Sequence, residues 1–262
     1  MHDSIDLQES LPVDIALKIV SSLQVLDVCS LGCCSRYWRE LCGCDCVWEG
    51  LCRDRWPGFF EDGNSSDSQK QTLVGFEQGF VSPYPKGWKD LYMIKHNQML
   101  REATKVTNFV ERSLANGSIE VGNYLKAIRL LNLYQLRFKD VQMFILKPNL
   151  SVLHNLLALH YCIFYLDVPE EQMIEALNRN GIAERRVAVQ WWKLGRWSQG
   201  FRLRDELHSR NVSLAGLAES SDEILGVLHR GAIHEVIRIQ ISAARPSKRP
   251  WSCQVVNTLQ SK

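Results

Sequence analysis

Apolar positions crowd the first helical stretch of the chain. Val13, Ile15, Ala16, Leu17, Ile19, Val20 and Leu23, placed at 100° intervals, cover an arc of roughly 200°, while Asp14, Lys18 and Ser21 hold the remainder. One core-facing stripe needs only about 100° or a little more. Ser10 is placed to cap this helix, and Pro12 suits a first turn, where its missing N–H costs nothing. Asp27 before VCSLGC, Ser35 before RYWREL and Asp45 before CVWEGLC each restart a short helix, and Trp38, Leu41, Trp48 and Leu51 are expected to tie them together. A module of roughly 45 residues is marginal alone. The surplus apolar surface therefore calls for a second partner, either the rest of the chain or another protein.

Residues 57–85 break the pattern with GFFEDGNSSDSQKQ and FVSPYPKG, whose Gly, Ser, Asn, Asp and Pro content reads as a flexible linker and a domain boundary. Helical spacing resumes from Trp88 to Ala115 with Asn116-Gly117 as its stop, and Ser118 is placed to cap the next helix, carrying Val121, Leu125, Ile128 and Leu131. Leu150 to Leu166 is nearly continuous apolar sequence. Ser151, His154, Asn155 and His160 interrupt it, so it reads as a buried helix rather than a membrane span. Pro169-Glu170-Glu171 opens a further helix that Asn180-Gly181 closes. Period-two alternation then predicts three strands, through Val187/Val189/Trp191, Phe201/Leu203 and Ile237/Ile239/Ile241, the first two joined as a hairpin through Gly195–Gly200. Val187, Trp191 and Leu194 also fit a helical face, so strand and helix compete at Arg185–Leu194. A short helix capped at Ser221-Asp222 and stopped at Gly231 lies between, and the tail from Ala244 reads as disordered.

The 262 residues are 45% hydrophobic and 23% charged, the balance of a chain able to bury a core. Thirty-one Lys and Arg against 29 Asp and Glu give +2, so a pull toward nucleic acid or anionic membrane must be local. Seven of nine cysteines fall between Cys29 and Cys52. The opening residues lack a basic stretch followed by an apolar one, so we expect a cytoplasmic or nuclear protein with reduced thiols. The cysteine spacing C-x3-C-C-x7-C-x-C-x-C-x5-C contains no C-x2-C pair and no nearby His. Cys29 and Cys33 accordingly read as small core residues, with no metal site or cofactor expected.

The ordered set Leu11-Pro12, Asp14-Ile15, Ile19, Leu23, Asp27, Ser35-Arg36, Trp38-Arg39, Trp48 and Leu51-Cys52 resembles an F-box, over about a sixth of the chain. Trp88-Lys89-Asp90-Leu91-Tyr92 is similar to the Trp-containing helix that often follows one. The cysteine density departs from the family pattern. The resemblance implies a non-catalytic substrate receptor that docks on the Skp-family adaptor of a cullin-based SCF ubiquitin ligase. It implies adaptor contacts at Leu11, Pro12, Ile15, Ile19, Leu23 and Val28, with Leu31 and Trp38 added, and an unidentified protein substrate held by the C-terminal part. The expected architecture is mainly α with a smaller α+β C-terminal part. A polar lead (1–9), a three-helix F-box (10–56), a linker (57–85), a recognition domain with about three antiparallel strands (86–243) and a tail (244–262) follow one another.

No phosphate-binding loop, dinucleotide fingerprint, H-E-x-x-H or G-x-S-x-G is found, and His229 and His234 are poorly spaced as ligands, so no catalytic residue is assigned. The unusual stretch is Arg185–Arg210, RRVAVQWWKLGRWSQGFRLRDELHSR. Arg and Trp are favoured at binding hot spots, which makes Trp191, Trp192, Arg196, Trp197, Arg202 and Arg204 candidate substrate contacts. On a hairpin the arginines would form one face and the aromatics the other. Three readings remain open for it: an aromatic core face under a solvated basic face, a surface for an acidic or phosphorylated partner, and a nucleic-acid contact. A non-ligase scaffold using the F-box for adaptor binding is a further alternative for the whole chain.

Overall fold

The computed structural model describes residues 11–57, 87–219 and 223–244. Two compact units form: Met1–Val106 with Leu131–Phe144, and Thr107–Leu130 with Ile145–Lys262. The first unit thus draws on more sequence than residues 10–56.

In the first unit, the four helix starts read from the sequence give four short helices, one more than the three-helix F-box expected: α1 (Val13–Ser21), α2 (Val25–Leu31), α3 (Arg36–Cys42) and α4 (Asp45–Arg55). The start of α5 (Trp88–Arg112) and α7 (Phe138–Phe144) complete it. Helix α1 packs on α3 and α4, and α2 packs on α3. Ala16, Val20, Val28, Leu41, Val47, Trp48, Cys52, Trp56, Tyr92 and Met99 form the core. Ser35 caps α3 as expected, its hydroxyl accepting the Trp38 N–H. The other start signals shift. Pro12, not Ser10, holds the cap position of α1, and its carbonyl accepts the Ile15 and Ala16 N–H groups at 3.0 Å. Ser10 itself lies outside the described residues. Helix α2 begins at Val25, so Asp27 sits in its first turn and acts on the helix dipole instead of capping. Asp45 is the first residue of α4, and its carboxylate accepts the Trp88 N–H at 3.0 Å, capping α5 from another helix.

The second unit is built on a four-stranded antiparallel sheet in the order β1-β6-β2-β5: β1 (Ser118–Glu120), β2 (Arg186–Lys193), β5 (Glu206–Ser213) and β6 (Val236–Ala243). Helix α8 (Val152–Tyr165) packs on β2 and β6, with every residue from Val152 to Cys162 buried. The polar residues that interrupt its sequence are all satisfied. Asn155 Nδ2 donates to the Ile145 and Lys147 carbonyls at 3.0 and 3.1 Å, and Ser151 Oγ lies 2.7 Å from His154 Nδ1. His160 Nδ1 lies 3.0 Å from the Tyr124 hydroxyl. Among the described residues no helix is long and apolar enough to cross a membrane. Around the sheet lie α6 (Val121–Leu133, whose last residues belong to the first unit), α9 (Glu170–Arg179), α10 (Leu214–Glu219) and α11 (Glu223–Arg230).

Three sequence expectations change here. Ser118 does not cap a helix; it opens β1, because Asn116 and Gly117, at φ 54° and 75°, turn the chain tightly so that Ser118 bridges Ala115. The strand that returns antiparallel beside β2 after the Gly195–Gly200 segment is β5, not Phe201/Leu203, and β5 showed no alternation because it is a largely exposed edge strand. Phe201–Arg202 is instead β4, paired with β3 (Trp197–Ser198) in a separate two-stranded ribbon around Gln199-Gly200, both at positive φ. In β6, Ile239 and Ile241 are buried, whereas Ile237 lies at the register shift opposite Trp192/Lys193 and is exposed. The expected cap at Ser221-Asp222, the tail from 245 and nearly all of 57–85 lie outside the described residues.

Candidate functional site

The surplus apolar arc of α1 divides in two. Ala16 and Val20 point into the core and are fully buried, while Val13, Ile15 and Ile19 remain 56%, 40% and 42% exposed. On α2, Val28 is fully buried and Leu26 is 78% exposed. Pro12 is exposed, and the turn that presents it is fastened by the Tyr37 hydroxyl, which donates to the Leu11 carbonyl at 3.4 Å. Pro12, Val13, Ile15, Ile19 and Leu26 are therefore apolar side chains on two short helices that this unit leaves to solvent.

The expected adaptor residues divide accordingly. Pro12, Ile15 and Ile19 are free. Leu11, Leu23, Leu31 and Trp38 are half-buried against the core of their own module. Val28 is enclosed in that core, so its side chain offers a partner nothing in this conformation. Val13 and Leu26 were not singled out in sequence: Val13 belonged to a wide arc without a marked edge, and Leu26 lay next to an aspartate read as a cap.

Behind this face the module is rigidly packed. Trp48 Nε1 donates to the Cys42 carbonyl at 2.7 Å, and its ring meets Tyr92 edge-on at 5.3 Å. Cys42 and Cys52 fill the core, and burial pushes the Cys52 thiol up to about 12. Cys29 and Cys33, expected in the core, are exposed, as are Cys34 and Cys46. The four-residue spacing of Cys29 and Cys33 placed them on one helix face, yet α2 ends at Leu31 and Cys33 falls in the turn after it. Among the described residues no group of three or more His, Cys, Asp or Glu could hold a metal ion.

The aromatic and basic candidates of the second unit also separate. Trp191 is buried and stacked on His208 at 5.4 Å, and Trp192 carries the Arg238 guanidinium over its ring at 5.1 Å. Both are structural. Trp197 is 76% exposed and Phe201 78%, with Arg196, Arg202 and Arg204 exposed beside them. Arginines and aromatics do not sort onto opposite faces: Trp197 pairs with Arg202 and Ser198 with Phe201, so each face carries an aromatic. Arg202 Nη2 donates to Asp205 at 2.8 Å. The Gly195 N–H and this guanidinium together hold the Asp205 carboxyl below its ordinary range. At the root of the ribbon a cavity of about 350 Å³ is lined by Trp191, Lys193, Arg230, Ile233 and His234 among others. His229 shares a 3.1 Å contact with His160 and stacks on Phe164.

No curated protein and no solved structure matches the chain. Residues 8–54 match the family model of the F-box-like domain, the span that carries α1 to α4 and the exposed apolar face. The N-terminal module of this chain, residues 8–54, is thus an F-box-like domain.

Proposed function

We propose that this chain is the substrate-recognition subunit of an SCF-type ubiquitin ligase. The F-box docks on a Skp-family adaptor and through it on cullin, and the second unit holds a protein substrate. The observation that carries this reading is the exposed row Val13, Ile15, Ile19 and Leu26 beside a finished core. A fully covered aliphatic side chain contributes about 1.5–3 kcal/mol, and these four keep roughly half of that for a partner. Leu11, Pro12, Leu23, Leu31 and Trp38 support the same face from its border, Leu11 and Trp38 by setting the turn and the α3 start.

The mechanism is proximity. Holding a substrate beside the charged ubiquitin carrier raises its effective concentration and asks no bond-making of this chain. Exposed free thiols at Cys29, Cys33, Cys34 and Cys46 fit a reducing compartment, in keeping with action in cytoplasm or nucleus. Titration of purified full-length chain with a Skp-family adaptor, followed by addition of cullin, tests the proposal. A stable ternary complex is expected, and Ile15→Glu/Ile19→Glu should abolish it with the fold intact. Undiminished binding by that folded double variant, or no binding by the wild type, would overturn it.

A further inference from the structure

The β3–β4 ribbon is the part of the second unit that its own core does not use. Between β2 and β5, from Leu194 to Asp205, the connection that contains it carries Arg196, Arg202 and Arg204 against Asp205, three positive charges less one negative, or +2, as much as the net charge of the whole chain. Asp205 is occupied internally by Arg202 and the Gly195 N–H, so it does not cancel Arg196 or Arg204. Trp197, Phe201 and Leu203, all more than half exposed, lie between these charges. Exposed aromatic side chains cost solubility, and tryptophan together with arginine is the composition of a binding hot spot.

The ribbon's shape is fixed without a partner. Gln199 and Gly200 both take positive φ, the requirement of a tight turn between two strands. Leu203 N–H donates to the Arg196 carbonyl at 2.9 Å, and Leu194 N–H to the Glu235 carbonyl at 2.7 Å, which ties the ribbon's base to the segment before β6. A Cβ on Gly195 would lie 2.0 Å from the Leu203 carbonyl oxygen, so only glycine permits this close return. A surface organised in advance loses less entropy on binding than one that must fold around its ligand.

We propose that this ribbon is the recognition surface for an acidic segment of a partner protein, one that alternates Asp or Glu with apolar side chains. Carboxylate is the anion the ribbon already binds within itself, through Arg202 and Asp205. Arg196 and Arg204 take the partner's carboxylates, and Trp197 and Phe201 its apolar side chains. Rested on the substrate-receptor reading, the inference names the class of substrate that such a receptor takes.

Selection of random unphosphorylated peptides on purified full-length chain tests it. Enriched sequences should carry Asp or Glu beside Leu, Phe or Trp, and bind at least about tenfold more weakly to Arg196→Glu/Arg204→Glu and to Trp197→Ala/Phe201→Ala. Their affinity should also fall with added salt. These exposed positions leave the core untouched, and adaptor titration of the same variants provides the control. Loss of peptide with adaptor binding retained supports the ribbon. Loss of adaptor binding by the wild type overturns the ligase reading alone. Enrichment of non-acidic peptides, equal binding by the ribbon variants, no enrichment, or a preference for phosphopeptides or single-stranded oligonucleotides over the acidic peptides overturns the present inference.

Discussion

Arg55 and Asp140, 85 positions apart in sequence, form a buried ion pair: Nε and Nη2 of Arg55 donate to Asp140 Oδ1 at 3.0 and 2.8 Å, with the two side chains 4% and 0% exposed. Trp56 Nε1 and the Arg137 N–H occupy the other carboxylate oxygen at 3.1 and 3.2 Å. Arg55 Nη1 adds the Tyr92 hydroxyl at 2.6 Å, and its guanidinium stands over the Trp56 ring at 4.7 Å. Every polar atom of the carboxylate is thereby used, the condition under which a buried pair repays its desolvation. Asp140→Ala strands the guanidinium and should cost about 3–5 kcal/mol in a denaturant melt. Arg55→Met/Asp140→Leu should cost much less than that single change. By the same logic a fragment ending at residue 57, which keeps Arg55 and lacks Asp140, should melt without a cooperative transition.

Gly87 and Asp45 act as one cap on α5. A Cβ at Gly87 would lie 2.7 Å from the Asp45 carboxylate that holds the Trp88 N–H. Gly87→Ala and Asp45→Ala should each cost about 1 kcal/mol, but the double variant should cost little more than either. Thermal melts of the three variants check this non-additivity.

Ile15 and Ile19 differ from Val28 in what they serve. Ile15 and Ile19, each more than half covered, should each cost about 1 kcal/mol on change to Glu, with the fold kept and adaptor binding lost. Val28→Ala empties a fully buried position and should lower stability by about 1–3 kcal/mol. Calorimetric binding and denaturant melts on the same samples separate the two roles.

The thiols should divide by burial. Under native conditions iodoacetamide should label Cys29, Cys33, Cys34 and Cys46, while Cys42, Cys52 and Cys162 resist it. Burial raises all three of the latter, Cys52 to about 12, and the thiolate is the reactive form. Peptide mass spectrometry reads the pattern, and labelling of Cys162 before global unfolding would contradict it.

His160 should make the protein acid-sensitive. Burial, with His229 alongside, holds it at about 3, against 6.5 when free. Between those values the unfolded chain takes up a proton that the folded chain refuses, so stability is full above pH 6.5 and falls as pH drops toward 3. The total is several kcal/mol at about 1.4 per unit. His160→Leu should reduce the slope of stability against pH by about one proton in that window, measured by denaturant midpoints.

Sequence alone reached the elements whose signals are local. The Ser35 cap, the apolar face of α1, the buried run from Val152 to Cys162, the Gly181 stop and the strand through Ile239 and Ile241 follow from side-chain periodicity and turn chemistry within a few residues, while at Arg185–Leu194 periodicity left strand and helix in competition. The ordered Leu-Pro to Trp-x-x-Leu-Cys spacing likewise carried the F-box resemblance that the family model matches.

What tertiary structure decided was partnership. Which of the α1 residues face the core, that Asp45 caps a helix 43 positions away, and that Arg55 is neutralised by Asp140 all depend on segments meeting across long stretches of chain. Edge strand β5 had no apolar alternation to betray it, because only one of its sides is paired and its side chains are largely in water. Trp191 and Trp197 look alike in sequence, yet one is buried and stacked on His208 of the neighbouring strand and the other stands in solvent. Periodicity records whether a side chain prefers to leave water; which neighbour takes it in, or whether any does, is fixed only when distant segments compete for the same space.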